Sequence, residues 1–440
     1  MRNHLAAWLL SAALAWAAPK IFPYPYELHD FPNGLRLVTV PTDYPNVVAL
    51  YIVVQAGSRN EVEPGKTGFA HFFEHMMFRG TKEFPPEKFQ QVMQKAGAAN
   101  NAYTSDDLTC YHETFSKQDL EIMLRVEADR FQNLDYSLPA FRTEALAVLG
   151  EYNKNSAAPM SKIHEVLRAN AFQSHTYKHT TMGFLEDIKD MPNQFDYSRQ
   201  FFQRFYRPEY TTILVAGDVD QAHVKKLVEK YWGPWKRGDY QAAIPAEPPQ
   251  GKQRSAHIDW PTTTLPWVVI SHRVPAYADT EKDTAALDLI SFLGFSESSP
   301  LYKRLVLEQQ KVDALQGNYP DHVDPYLFTV YARVKNKADM EAVREDILST
   351  LAGFRDTLVP ADRLEAVKKH LRYQFALGMD SSEAIADTLA RYIALRRTPE
   401  TLNRVYELYA QITPEELRTV ARKLFQEDGR TTVTLTGASK

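Results

Sequence analysis

The sequence predicts an α+β protein of two homologous domains, each a mixed or antiparallel β-sheet backed by α-helices. Three observations carry that expectation. β-rich runs and amphipathic helical runs alternate along the whole chain. The pattern breaks once near the middle, at GDYQAAIPAEPPQGKQRS (238–255), a proline-rich polar stretch with linker composition. The two sides of that break also read alike. Each opens on a β-rich run, 47–55 and 267–272, continues with helices, and ends on a β-rich stretch and a helix, 211–216 with the helix through 230 and 431–436 with the helix through 425. The expected domains are therefore 19–237 and 256–440, joined by the linker 238–255.

Bulk properties fit this reading. A chain of 440 residues exceeds one ordinary core. Its 51 basic and 55 acidic residues give a net charge of -4, which leaves no nucleic-acid footprint. Mean hydropathy of -0.40 speaks against a polytopic membrane protein. The single cysteine, Cys110, excludes an intrachain disulfide and any multi-cysteine metal site. Between Thr109 and Tyr111 in a strand-like run, it reads as a small buried hydrophobe rather than a nucleophile.

Taken in order, residues 1–18 read as a secretory signal peptide. Arg2 precedes an apolar run at 5–15, and Ala15-Trp16-Ala17 offers a cleavage signal. The run stops at Pro19 and Lys20 after roughly 14 apolar residues, short of the ~20 that a span requires. No membrane span is expected in the mature chain, which would start near Ala18 in a bacterial periplasm. Residues 35–40 and 47–55 read as strands paired around the turn 41–46. A helix follows over 67–78, closed by Gly80, then a second over 86–95. After Gly97, residues 101–115 read as strand, and helices are expected over 118–132 and 139–155, with Pro139 tolerated in the first turn.

Chemistry concentrates in His71-Phe72-Phe73-Glu74-His75. Two histidines four apart on a helix project from one face, so both imidazoles can reach one metal ion. Glu74 lies beside that face, near enough to take a proton from a metal-activated water without itself ligating. The pattern H-x-x-E-H is the inverzincin motif. The alternative is a pair of ordinary helix histidines satisfied by solvent or backbone. A catalytic zinc also needs a third protein ligand, for which Glu151 is available on a later helix. Glu144, seven residues earlier on the same face, can orient a histidine ligand from the second layer of contacts.

HFFEHMMFRGTKEFP, NAYTSDDLTCYHETF and FRTEALAVLGEYNKN, in that order, resemble the pitrilysin (insulinase) family of zinc peptidases, in the two-domain bacterial form similar to mitochondrial processing peptidase subunits. RFYRPEYTTILVAGDVD is similar to a further landmark of that family. The resemblance implies one zinc ion (Zn2+) per chain held by His71, His75 and Glu151, Glu74 as general base, and Glu144 as an accessory carboxylate. It also implies that Asn101 and Ala102 belong to an edge strand offered to a peptide substrate; the plainer reading of these two is a turn entering a strand. The family's chamber is a clamshell of four related domains, of which this chain would supply half.

One departure bears on that implication. Active single-chain members carry an arginine and a tyrosine seven residues apart in a later domain, and the corresponding stretch LYKRLVLEQQKVD has Val306 and Asp313 at those places. A homologous partner without zinc, supplying the pair in a heterodimer, is therefore expected, with a homodimer as the alternative. Two other functions compete with peptide hydrolysis: a non-catalytic, chaperone-like scaffold, and a zinc hydrolase acting on something other than peptides. Scaffold relatives tend to lose the ligands or the base, whereas all four are present here. Cobalt or manganese could also occupy such a site in vitro. The second i, i+4 pair, His175 and His179, lacks a neighbouring base and reads as a loop or solvated pair. The segment 294–298 lacks the closing glycine of a nucleophile elbow. Charged helices at 361–374 and 414–425 read as amphipathic, facing solvent.

Overall fold

The computed structural model describes residues 20–438. The expected signal peptide and its cleavage site lie outside the described residues. The first half contains β1 (Glu27–Asp30), β2 (Arg36–Pro41), β3 (Val47–Val54), α1 (Phe69–Met76), α2 (Pro86–Ala96), β4 (Ala99–Thr104), β5 (Thr109–Ser116), α3 (Leu120–Asn133), α4 (Leu138–Ser156), α5 (Pro159–Ala171), α6 (Leu185–Asp190), α7 (Phe195–Phe205), β6 (Thr211–Gly217) and α8 (Gln221–Trp232). The second contains β7 (Arg254–Trp260), β8 (Trp267–Val274), α9 (Lys282–Phe295), α10 (Pro300–Tyr302), β9 (Val312–Asn318), β10 (Tyr326–Val334), α11 (Met340–Asp356), α12 (Ala361–Leu377), α13 (Ser382–Arg396), α14 (Glu400–Gln411), α15 (Pro414–Leu424) and β11 (Arg430–Gly437). No helix among the described residues is long and apolar enough to cross a membrane.

The strands form two mixed sheets, ordered β1-β2-β6-β3-β5-β4 and β7-β11-β8-β10-β9. Apart from the extra β1, the two have one topology. In each, the last strand of the half inserts inside the sheet, parallel to one neighbour (β2 or β7) and antiparallel to the other (β3 or β8). This corrects the expected pairing of 35–40 with 47–55. β2 and β3 flank β6 and never touch as partners, because their connection passes over the end of β6. There the Thr42 N–H donates to Gly217 O, and the Asp218 N–H to Val47 O, both at 3.0 Å. A Cβ on Gly217 (φ +146°) would lie 2.3 Å from Val47 O. Gly437 performs the same office at the end of β11, where a Cβ would lie 2.5 Å from Thr264 N. The expected strand at 101–115 is likewise two strands, β4 and β5, folded into a hairpin at 105–108 with β4 at the free edge.

Every strand at the sheet centre must be covered twice. On β3, Val48, Leu50, Ile52 and Val54 pack with Phe72, Phe201 and Trp232 from the half's own helices, while Ala49, Tyr51 and Val53 point the other way. That second face is covered by Ile385, Leu389 and Ile393 of α13, a helix of the other half. The reciprocal exchange holds for the second sheet: Val269, Val433 and Leu435 pack against Ile163, Leu167 and Ala171 of α5. Continuous apolar strands of this kind are the signature of a sheet buried on both faces. Cys110 lies fully buried in β5 on the α13 side, and burial pushes its thiol up, the opposite of an activated nucleophile.

A buried polar seam joins the halves at the β4–β5 turn. Asp106 Oδ1 accepts from Arg168 Nη2 at 2.5 Å and Ser58 Oγ at 2.8 Å, and its Oδ2 lies 3.0 Å from His322 Nε2 of the second half. Asp107 accepts from the Tyr177 hydroxyl at 2.6 Å and the Val323 N–H at 3.0 Å. His175 belongs to this seam, its Nε2 2.9 Å from Asp324. Of the expected loop or solvated His175–His179 pair, the loop holds and the solvation is corrected: both are buried, His175 against Asp324 of the second half and His179 beside Glu61 and Phe184 of its own. Burial opposes a charge on His322, but the hydrogen bond and charge of Asp106, with Asp107, prevail and raise its pKa above the ordinary 6.5. A histidine raised in the folded state stabilises fully below its unfolded value and loses that contribution as pH climbs through the folded one. His322→Gln is therefore expected to cost about 1.5–3 kcal/mol at pH 6, with the deficit shrinking toward pH 9; thermal melts of both proteins across that range check it.

Candidate metal centre

The motif helix α1 is fixed at both ends. At its start the buried Glu61 carboxylate accepts the Gly68 and Ala70 N–H groups, each at 2.8 Å, which satisfies donors a helix otherwise leaves unpaired. Burial pushes that carboxyl up to about 8, against the pull of the two N–H donors. Along its length Phe69, Phe72, Phe73 and Met76 enter the core. Phe73 stacks on Phe201 with centroids 5.4 Å apart, and Phe72 meets Phe141 of α4 edge to face at 5.1 Å. With those faces committed, His71, Glu74 and His75 are turned toward α4 and β4. The helix is shorter than the expected 67–78; residues 77–79 continue it as a tighter 3-10 turn that ends at Gly80.

α4 supplies the carboxylates. Ser137 caps it by accepting the Ala140 N–H at 3.3 Å, and Pro139 sits in the first turn. Seven residues separate Glu144 from Glu151, so both face α1. Glu151 Oε2 lies 3.5 Å from His71 Nε2 and 3.4 Å from His75 Nε2, and one ligand atom from each residue falls within 4.8 Å of the others. Ligands about 2.0–2.1 Å from a tetrahedral zinc stand about 3.3 Å from one another, so these separations fit the ion with little rearrangement. Burial, aided by the nearby His75, pushes the His71 imidazole down to about 4; it is neutral at pH 7, the state a ligand requires. His71 Nδ1 is buried with no hydrogen-bond partner, which leaves the ring without a protein role that competes with coordination. Glu144 Oε2 stands 3.6 Å from His75 Nδ1.

Glu74 supplies none of the three convergent atoms. Its Oε2 accepts from the Thr104 hydroxyl at 2.7 Å, which ties it to the edge strand β4. Burial raises its pKa, the Thr104 hydrogen bond opposes this, and the net shift is upward. On β4 itself, Ala102 is buried and Asn101 exposed. The Asn101 side-chain Oδ1 accepts the Ala102 N–H at 2.9 Å, so a backbone donor at the open edge is held by its own neighbour instead of by another strand. A cavity of about 850 Å³ opens beside β4 between the halves, bordered by Tyr103, Ser105, Asp321 and Asp387. Two functional contacts escaped the sequence. Thr104 is invisible without the hairpin register, whereas Glu61 announces itself only as an acid preceding the helix.

A sequence profile described as insulinase (peptidase family M16) matches residues 36–184, and one described as the peptidase M16 inactive domain matches 194–371. Zinc protease PqqE of Helicobacter pylori is 28% identical over 417 residues, covering 93% of this chain and 92% of that protein. Among solved structures, a protease from Helicobacter pylori superposes with a TM-score of 0.87 at 27% identity, covering 94% of this chain and 99% of that one. The periplasmic protease PqqL from Escherichia coli superposes with a TM-score of 0.74 at 18% identity, a likeness of fold; 93% of this chain matches 47% of that one. The purified chain is expected to bind one zinc ion, and Glu151→Ala or His75→Ala to lose it, as read by metal analysis after gel filtration.

Proposed function

Because the chain belongs to the M16 insulinase family of zinc peptidases, we propose that it is an exported endopeptidase that hydrolyses short or unfolded peptides, and that it works as the catalytic subunit of a larger assembly. The observation that carries this reading is the pairing of His71, His75 and Glu151, whose ligand atoms converge, with Glu74 of the same helix as the histidines, a half-buried carboxylate hydrogen-bonded by Thr104. Zinc, when bound there, supplies Lewis-acid activation of a scissile carbonyl and of water. The chain's own residues do the rest. Glu74 accepts the proton of the attacking water and passes it to the leaving amine, a transfer favoured by its raised pKa. Glu144 orients His75. A peptide adds to the free edge of β4, gaining backbone hydrogen bonds whatever its side chains are, with the Asn101 side chain yielding the Ala102 N–H to it.

In this reading the domain boundary lies at the linker 238–255, and the two domains are half of an enclosed chamber. The full PqqL chain has about twice this span, which favours a second two-domain chain as the other half. The partner is expected to differ from this one. Val306 sits half-buried in a π-helical turn and Asp313 is engaged by Arg333 Nε at 2.8 Å, so neither offers an arginine or tyrosine to an oxyanion. Tyr373 and Leu377, 70% and 78% exposed at the end of α12, give such a partner an apolar foothold. A homodimer is the alternative. Periplasmic residence rests on the N-terminal signal read in the sequence.

The test is cleavage of quenched fluorescent peptides by the mature chain with zinc. Glu74→Gln should reduce turnover by at least about 10²-fold while leaving zinc content unchanged. Wild-type turnover in that variant would remove Glu74 from the mechanism. Strong turnover by the chain alone, as a stable dimer, would replace the heterodimer with the homodimer.

A further inference from the structure

Glu144 has a side chain only 6% exposed, and a carboxylate so enclosed needs partners. Two reach it among the described residues. One oxygen faces His75 Nδ1 at 3.6 Å, and the other pairs with Arg79 Nη2. Arg79 follows His75 by four residues, as His75 follows His71. It arrives at this place because the end of the helix is forced. Gly80 takes φ +78°, and a Cβ there would lie 2.5 Å from Phe84 O, so the chain turns away and Arg79 is the last residue of the tight turn. Helical side chains lean back toward the N-terminus, which carries the guanidinium over the turn that holds His75. Its Nη2 then pairs with the far oxygen of Glu144.

We propose that Arg79 is a positioning residue for the metal centre: it fixes Glu144 so that the remaining oxygen faces the Nδ1 side of His75 at 3.6 Å as a charge contact, which keeps Nε2 turned toward Glu151. The inference rests on the metal reading above. Without Arg79, the carboxylate has only the imidazole beside it and is free to turn from it, and the ring loses the charge contact that directs it. Carboxylates behind a ligating histidine commonly govern metal affinity in this way; here a third residue governs the carboxylate. The Arg79 side chain is 42% exposed, so its replacement opens no core.

The experiment is zinc affinity, read by competition with a chromophoric chelator, for the wild type, Arg79→Met and Arg79→Lys, with melting of each metal-free protein alongside. Arg79→Met should bind zinc about 10–100-fold more weakly with its metal-free melting temperature unchanged. Arg79→Lys should fall between, since an ammonium restores the charge but not the planar guanidinium. Wild-type affinity in a folded Arg79→Met protein would overturn the proposal while leaving the metal centre intact; if that variant does not fold, wild-type affinity in Arg79→Lys overturns it. A wild-type chain that binds no zinc would overturn both.

Discussion

The central constraint is that neither sheet can be completed by its own half. β3 is apolar on both faces, its counterpart β8 is buried on both, and the second face of each sheet is closed by a helix from the opposite half, α13 over one and α5 over the other. Exposed apolar surface of this extent is unfavourable at ~25 cal/mol per Å², so the halves are bound by mutual need. The order of the strands adds to it. Because β6 and β11 insert inside the sheets and come last in their halves, each sheet closes only after long loops have closed. High contact order of this kind slows folding.

That rigidity serves the metal centre. His71 and His75 stand on a helix whose opposite face is locked by stacked phenylalanines and whose first turn is held by a buried carboxylate, and Glu151 stands on a long capped helix packed against it. Sites built on packed helices hold geometry better than sites built on loops. Glu74 belongs to the same arrangement but answers to a different element. Glu74 is hydrogen-bonded to β4, so the residue that would move the proton and the strand that would receive the peptide share one contact.

The sequence made the chemistry legible more readily than the architecture. An i, i+4 histidine pair is a local fact of helix geometry, and Glu144 and Glu151 follow from a similar periodicity on one later helix. The duplication was legible too, since β-rich runs recur in the same order on both sides of the linker. Adjacency in the sheet was not. Alternating polarity says which way side chains point but not which strand lies alongside, so 35–40 and 47–55 looked like a hairpin although β6 lies between them. The break in 101–115 had a signal in Ser105-Asp106-Asp107, turn residues within a β-rich run. Burial of His175 had none, because it depends on a surface contributed by residues nearly 150 positions away, such as Asp324.

The position of Cys110 gives the molecule an internal gauge of its own breathing. The thiol is the only one in the sequence and lies sealed between β5 and the α13 face. An alkylating reagent reaches it only when that helix lifts or the domain opens more widely, so its rate of modification measures the free energy of parting the two halves. A peptide seated along β4, or a second chain closing the chamber, would announce itself by slowing that reaction without touching the sulfur.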